Sequence, residues 1–409
     1  MKIKLLKRIV IKIFSILFIP LKNFIPKSNI VILGTSSRYS YKDNTRYLIE
    51  YLNLKGMENL YWVTDSREIE EHLDQLGIRY IGWKSPLKMI WISLRAKVVI
   101  DSGTKFFNPL GVLNNCKSIK LTTLHGNGPK ANFSRFHPPS NSKIAIQQIQ
   151  DHYAFDYVNY PSKYSAIEVA RRCHLLPNEK IISLGYPRCD QYFDSNYVKV
   201  SYEKKATTKS LYPGCTKTTK VILYTPTWRP YDYCFPLDLM PGLDLFEFNS
   251  WLVENNYVFF YTVHSAHAPL EVPLNLDRIR FIDGSGEPLF DINQFMLEVD
   301  FLLNDYSTTS TDFAILNRPQ VFFMPDYDYY KVEKGFVEDY RNILPGAEIK
   351  SYDQFLQLLT NIEKNPVAYT KKYNAKRIEL LNKYYDMENS ESCEQFYCFI
   401  NSILFNQIK

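Results

Sequence analysis

The sequence predicts an α/β fold of two parallel sheets, and three observations lead to it. Strand, turn and helix patterns repeat from Asn29 onward. A stretch without periodicity, rich in Lys, Thr, Ser and Pro-Gly, interrupts them between Asn196 and Lys220. A second alternating set then opens at Val221. Short apolar runs rich in β-branched and aromatic residues mark the strands, since parallel strands are covered on both faces and need no polar alternation. In the first half these runs are Ile30–Gly34, Leu60–Val63, Lys97–Ile100, Ile119–Leu124 and Tyr157–Asn159. Helices are predicted near Asn44–Leu54, Arg67–Leu76 and Ser162–Cys173. The second half offers Val221–Tyr224, Val258–Val263, Ile279–Ile282, Phe301–Leu303 and Val321–Met324. From Pro366 the spacing of Tyr369, Tyr373, Ile378, Leu381 and Tyr384, and later Phe396, Phe399, Ile400 and Leu404, reads as long helices.

With 409 residues the chain suits two domains of middling size, and 45% hydrophobic with 22% charged residues is a globular balance. The net charge of +6 is modest and much of it lies in the first 27 residues, which hold no acidic residue. That distribution argues against nucleic-acid binding, which spreads a basic face over the folded body. Seven scattered cysteines form neither a disulfide framework nor a zinc pattern, as expected in a reducing compartment. His264-Ser265-Ala266-His267 has no carboxylate or cysteine partner at ligand spacing, so no metal is expected. The uncharged run Ile13–Leu21 is too short to span a bilayer, which takes about 20 residues, and no small-residue cleavage site follows it. Basic clusters alternating with apolar runs over residues 1–27 suit an amphipathic helix on an anionic membrane surface, or a first helix packed on the protein's own core.

The most informative segment runs from Asp300 to Asp312, where an apolar strand enters a hydroxyl-rich turn and then a helix. Free N–H groups and the positive end of the helix dipole would meet an anion there, beside the Ser307 and Thr308 hydroxyls. The same residues also suit a plain helix cap through Asp305 or Ser307.

Five ordered segments then resemble the CDP-glycerol glycerophosphotransferases of teichoic-acid and related bacterial surface-polymer synthesis. They are Leu124-His125-Gly126 with Lys130; Gly185-Tyr186-Pro187-Arg188-Cys189-Asp190; and Tyr224-Thr225-Pro226-Thr227-Trp228-Arg229. His264 after an apolar strand and Asp300–Asp312 with Asn317-Arg318-Pro319 and Pro345-Gly346 complete the set. The resemblance covers Ser118 to Asp353. It departs from the family at one loop, where His125-Gly126-Asn127-Gly128-Pro129-Lys130 stands in place of the usual His-Gly-Thr-Pro-Leu-Lys.

The resemblance implies a GT-B architecture of two Rossmann-like domains with a cleft between them. Residues 1–27 would be the membrane-associating segment, 28–195 the acceptor domain, 196–220 a linker and 221–365 the donor domain for a CDP-alditol. Residues 366–409 would be helices bracing the first domain. It implies transfer of glycerol phosphate from CDP-glycerol, or ribitol phosphate from CDP-ribitol, to a hydroxyl of a lipid-linked or glycan acceptor, at the cytoplasmic face of the bacterial membrane and without a cofactor. His125 is the expected general base, because imidazole titrates near working pH, and His264 the expected contact to the diphosphate. Arg229 suits phosphate recognition or a hinge ion pair. Ser307 and Thr308 are expected to bind the donor diphosphate, and Asp312 to orient a histidine or hold a donor hydroxyl. Lys130 and Asn127 are the candidates for acceptor binding, Lys130 also suiting a solvated surface position. Gly185–Arg188 reads as a rigid turn and Asp190 as a cap for the segment after it. A glycosyltransferase using a nucleotide sugar and a non-catalytic membrane-bound assembly factor are the competing readings.

Overall fold

The computed structural model describes residues 24–35, 37–103, 117–126, 128–131, 150–193, 211–227, 229, 236–262, 275–282, 287–386 and 391–405. Its first sheet comprises β1 (Ser28–Gly34), β2 (Leu60–Val63), β3 (Arg79–Ile81), β4 (Ala96–Asp101), β5 (Ile119–Thr122), β6 (Tyr157–Asn159) and β7 (Ile181–Ile182). The strands are parallel and ordered β3-β2-β1-β4-β5-β6-β7. The second sheet contains β8 (Lys220–Tyr224), β9 (Tyr257–Tyr261), β10 (Ile279–Phe281), β11 (Phe301–Asn304), β12 (Gln320–Phe323) and β13 (Ala347–Ile349). It is also parallel, in the order β10-β9-β8-β11-β12-β13. Each sheet reverses its strand order once, between β1 and β4 and between β8 and β11, and such reversals open a crevice beyond the carboxyl ends of the strands.

The two-sheet α/β expectation holds. Three strands escaped the sequence reading: β3, β7 and β13 each form the edge of a sheet and have only two or three residues. Half-buried edge strands carry no continuous apolar run to betray them.

Helices α1 (Asp43–Leu54), α2 (Arg67–Gln75) and α3 (Pro86–Arg95) connect the first strands. Val31, Leu33, Trp62, Val98 and Ile100 form a core with Leu48 and Ile49 of α1 and Ile69 and Leu73 of α2. Alternate residues Ile30, Ile32, Val63 and Val99 meet Met89 and Ile92 of α3 on the opposite face. The predicted helix over Ser162–Cys173 is present in altered form, a short α turn at Lys163–Ser165 widening into π-helical Ala166–Arg171. There the bonds reach back five residues, as from Arg172 N–H to the Ile167 carbonyl.

In the second lobe, α4 (Leu245–Glu254) and α7 (Tyr352–Lys364) pack through Phe248, Leu252, Phe355 and Leu359 on β8, β9 and β11. Between them in sequence lie α5 (Thr309–Phe313) and α6 (Tyr327–Glu333). The chain closes with α8 (Pro366–Tyr384) and α9 (Ser392–Leu404). Leu380, Leu381 and Tyr384 of α8 stay with the second lobe, whereas Phe396, Ile400, Ile403 and Leu404 of α9 enter the core of the first.

The segment after Gly185 also crosses over, because Tyr186, Cys189 and Tyr192 lie in the core of the second lobe. Asp190 does not cap the segment it begins. Its carboxylate accepts the Ser392 N–H at 3.0 Å and the Cys393 N–H at 2.8 Å, capping α9 from two hundred residues away in sequence. Burial lifts its pKa to about 6 against the pull of those two amides.

Candidate functional site

His125 is presented by a constrained turn. β5 ends at Thr122, and Leu124 adopts a left-handed φ of 54°, uncommon for a bulky side chain and retained only where the surroundings enforce it. The Thr122 hydroxyl accepts the Leu124 N–H at 3.1 Å, and Asn44 Nδ2 donates to the Leu124 carbonyl at 2.8 Å. His125 itself keeps exposed surface. Desolvation by the surrounding protein lowers its pKa, with Arg188 and Lys130 adding to the effect, while Asp43 and a hydrogen bond to the Ser102 backbone oppose it.

Behind the histidine lies a buried ion network that joins the lobes. Arg188 Nη1 donates to Asp43 at 2.8 Å within the first lobe, and Nε donates to Asp312 of α5 in the second at 2.9 Å. The Arg188 N–H donates to the Asn44 side chain at 3.2 Å, and the guanidinium stacks 4.5 Å from the centre of the Tyr186 ring. The Tyr385 hydroxyl, just beyond α8, donates to the other Asp312 oxygen. Burial raises the Asp312 pKa and Arg188 lowers it.

The glycine-rich loop after His125 rests on the first turn of α5. Gly126 has φ of +149°, and a Cβ there would come within 2.5 Å of Thr308 Oγ1; one on Gly128 would come within 2.9 Å of Thr311 Oγ1. The hydroxyl-rich turn expected to hold phosphate thus faces the histidine loop, and Ser307 Oγ hydrogen bonds Thr309 Oγ1 at 3.0 Å beside it. Gly126→Ala should cost about 1–3 kcal/mol of backbone strain, and shaving the clash with Thr308→Ala should recover only part of it. Urea midpoints of the single and double variants check this, and equal midpoints for Gly126→Ala and the parent would contradict it.

A short antiparallel bridge between Lys130 and Phe336 fastens the loop, flanked by bonds from Ala131 N–H to the Gly335 carbonyl and from Val337 N–H to the Pro129 carbonyl. It sets Lys130 near Lys334, which follows α6 and is buried. Desolvation lowers both ammonium groups, Lys130 to about 8 and Lys334, with Lys130 as its like-charged neighbour, to about 7.

Arg229 is occupied differently from an open phosphate fork. Its Nε and Nη2 donate to both oxygens of Asp326 at 2.7 and 2.9 Å, and Nη1 donates to Asp305 at 2.7 Å and to the Thr227 carbonyl at 2.8 Å. Asp305 also accepts the Thr227 N–H and hydroxyl, pinning the Thr225–Thr227 loop to the turn after β11. This is the ion-pair alternative the sequence left open, and it spends the guanidinium on two carboxylates.

The structure therefore brings His125, Lys130, Thr308 and Asp312 together and sets Arg229 behind Asp305. His264 and Asn127 lie outside the described residues. Asp43, Lys334 and Tyr385 were missed by the sequence reading. Neither Asp43 nor Lys334 carries a local motif that sets it apart from the other charged residues of the sequence. Among the described residues no group of three His, Cys, Asp or Glu converges as a metal site.

Two lobes of Rossmann strand order, facing each other through a histidine loop and a hydroxyl-rich helix start, define the GT-B architecture. A solved wall teichoic acid polymerase, TagF, superposes with TM-score 0.72 at 19% identity over 99% of both chains. The chain belongs to the CDP-glycerol:poly(glycerophosphate) glycerophosphotransferase family, whose model matches residues 17–400. Among curated relatives, a teichoic acid poly(glycerol phosphate) polymerase of Bacillus subtilis (strain 168) is 28% identical over 90% of this chain. The chain spans about half, 49%, of that protein's length. The teichoic acid glycerol-phosphate primase of the same strain is 26% identical, covering 91% of this chain and 92% of its own. A teichoic acid glycerol-phosphate transferase of Staphylococcus aureus (strain NCTC 8325 / PS 47) is 26% identical over 84% of this chain and 87% of its own.

Proposed function

We propose that this chain transfers glycerol phosphate from CDP-glycerol to a hydroxyl of a surface-polymer acceptor and releases CMP. The observation that carries the reading is His125, held out on the Leu124 turn beside Asp43 and facing the start of α5. The acceptor oxygen attacks the phosphorus that bears glycerol, the bond to CMP breaks, and the acceptor proton passes to His125. Asp43 stabilises the imidazolium so formed. The Ser307 and Thr308 hydroxyls receive the donor diphosphate, and His264 assists the departing CMP. Lys130 with Lys334 holds an acceptor phosphate. Arg229 positions the Thr225–Thr227 loop, and Asp312, through Arg188, keeps Asp43 and the lobes in register. The family and its relatives support the glycerol donor, and the ribitol-phosphate proteins among those relatives make CDP-ribitol the comparison substrate.

No helix among the described residues is long and apolar enough to cross a membrane. The basic residues 1–27 support a peripheral position on the inner face of the cell membrane, where a lipid-linked acceptor is available. Chromatographic detection of CMP from CDP-glycerol, with CDP-ribitol and nucleotide sugars as alternative donors, tests the reaction. Nucleotide release from a sugar donor alone would establish the glycosyltransferase reading instead.

The same assay yields a pH profile. His125 must be neutral to accept a proton, so kcat/KM should rise through a limb below 6.5. The lysines must be charged to hold phosphate, so it should fall through a limb near 7–8. Bound phosphate raises both lysine pKa values, which moves that limb upward in kcat. An alkaline limb unchanged in Lys334→Met and Lys130→Met would remove these lysines from the site.

A further inference from the structure

Strands β4 and β5 end side by side, with Asp101 in register with Thr122, and a turn follows each. The first turn is fixed by its own side chain, since Asp101 Oδ1 accepts the Gly103 N–H at 2.7 Å. That N–H shares a peptide unit with the Ser102 carbonyl. In a planar trans peptide the two groups point in opposite directions, so holding the one aims the other. The Thr122 hydroxyl donates to the next carbonyl, of Gly103, at 2.8 Å and accepts the Leu124 N–H at 3.1 Å. One oxygen thereby joins the turn that carries Ser102 to the turn that carries His125. The Thr123 N–H adds a bond to the Asp101 carbonyl at 2.8 Å, and Asp101, Ser102 and Thr122 are all buried.

The Ser102 backbone hydrogen bonds His125 and favours the protonated ring, so it contributes its carbonyl. A carbonyl only accepts. In the neutral ring the nitrogen that meets it therefore carries the hydrogen, and the other nitrogen carries a lone pair. A general base needs that division, because an imidazole free to exchange its hydrogen between both nitrogens would meet the acceptor hydroxyl with an N–H for part of the time.

We propose that Asp101 and Thr122 are positioning residues for His125: they aim the Ser102 carbonyl at one ring nitrogen, fix the tautomer and leave the other nitrogen to take the acceptor proton. The inference rests on the reading of His125 as general base and adds the side chains that poise it. If both residues only finished the ends of their strands, the tautomer would be indifferent to them.

Nitrogen-15 NMR of the full chain, labelled at its seven histidines, separates ring nitrogens that bear hydrogen from those that do not, and His125→Asn identifies the His125 signals. Above the His125 pKa the parent should show one nitrogen of each kind. Thr122→Val, similar in shape but without the hydroxyl, and Asp101→Ala, which releases the Gly103 N–H, should each give the averaged signals of two exchanging tautomers. Their kcat for CMP release should fall by up to about 10²-fold, the scale of a misplaced reacting group, with KM within about twofold. The acidic limb of kcat/KM should move to lower pH. Losing the carbonyl removes support for the imidazolium, while Arg188 and Lys130 still oppose it and Asp43 still favours it. Thr122→Ser keeps both bonds and should restore the single tautomer and the turnover. A parent spectrum with two exchanging tautomers overturns the inference without any variant, and so do folded Thr122→Val and Asp101→Ala proteins that keep the parental tautomer. A single tautomer in a parent that releases no CMP from CDP-glycerol would overturn the proposed reaction and leave the positioning standing.

Discussion

His125→Ala should reduce CMP release by about 10²–10⁴-fold, the usual contribution of a positioned general base. Stability should change little, because the residue keeps exposed surface and the Leu124 turn is held by Thr122 and Asn44 rather than by the imidazole. His125→Asn, which preserves polarity without a titrating group, should be nearly as inactive, and donor affinity measured by calorimetry should survive in both. Either variant retaining near-parental turnover while folded would take the proton acceptor elsewhere. Asp43→Asn should show a milder loss and a His125 pKa displaced further downward, because the carboxylate that favours the imidazolium is gone.

Arg188→Met should destabilise the chain by about 3–5 kcal/mol, because it leaves the buried Asp312 carboxylate with only the Tyr385 hydroxyl and takes the partner from half-buried Asp43. The carboxylate of Asp312 is 2% exposed as a residue and cannot recover solvent, and burial already works against its charged form. Adding Asp312→Asn to Arg188→Met should recover part of the loss, so the two effects fall short of additivity. Urea midpoints across the three variants measure the coupling. Midpoints that add within error would show that the guanidinium and carboxylate do not depend on each other. Turnover should fall along with stability, since the same arginine spaces Asp43 behind His125 and ties α5 to the first lobe.

The sequence by itself determined the parts whose signal is local. Apolar runs located the long strands, glycine and hydroxyl clusters located the loops at their carboxyl ends, and five ordered segments pointed to the family. The placement of His125, Ser307 and Thr308 just after strands was legible because a parallel α/β unit sends such residues to one end of its sheet. Tertiary structure alone decided which charges meet. Arg188 sat in what read as a rigid turn and Asp312 one turn into a helix, 124 positions apart, yet they pair across the lobes. Arg229 had the donors for a phosphate fork, and two carboxylates from other loops took them. Asp190 looked local and caps a helix from the far end of the chain. Lys334 carried no local signal, and only the Lys130–Phe336 bridge brings a second ammonium near it. The physical reason is common to all four: backbone periodicity is written within a few residues, whereas a charge is satisfied by whatever the folded core sets within hydrogen-bond reach, and no spacing along the chain records that partner.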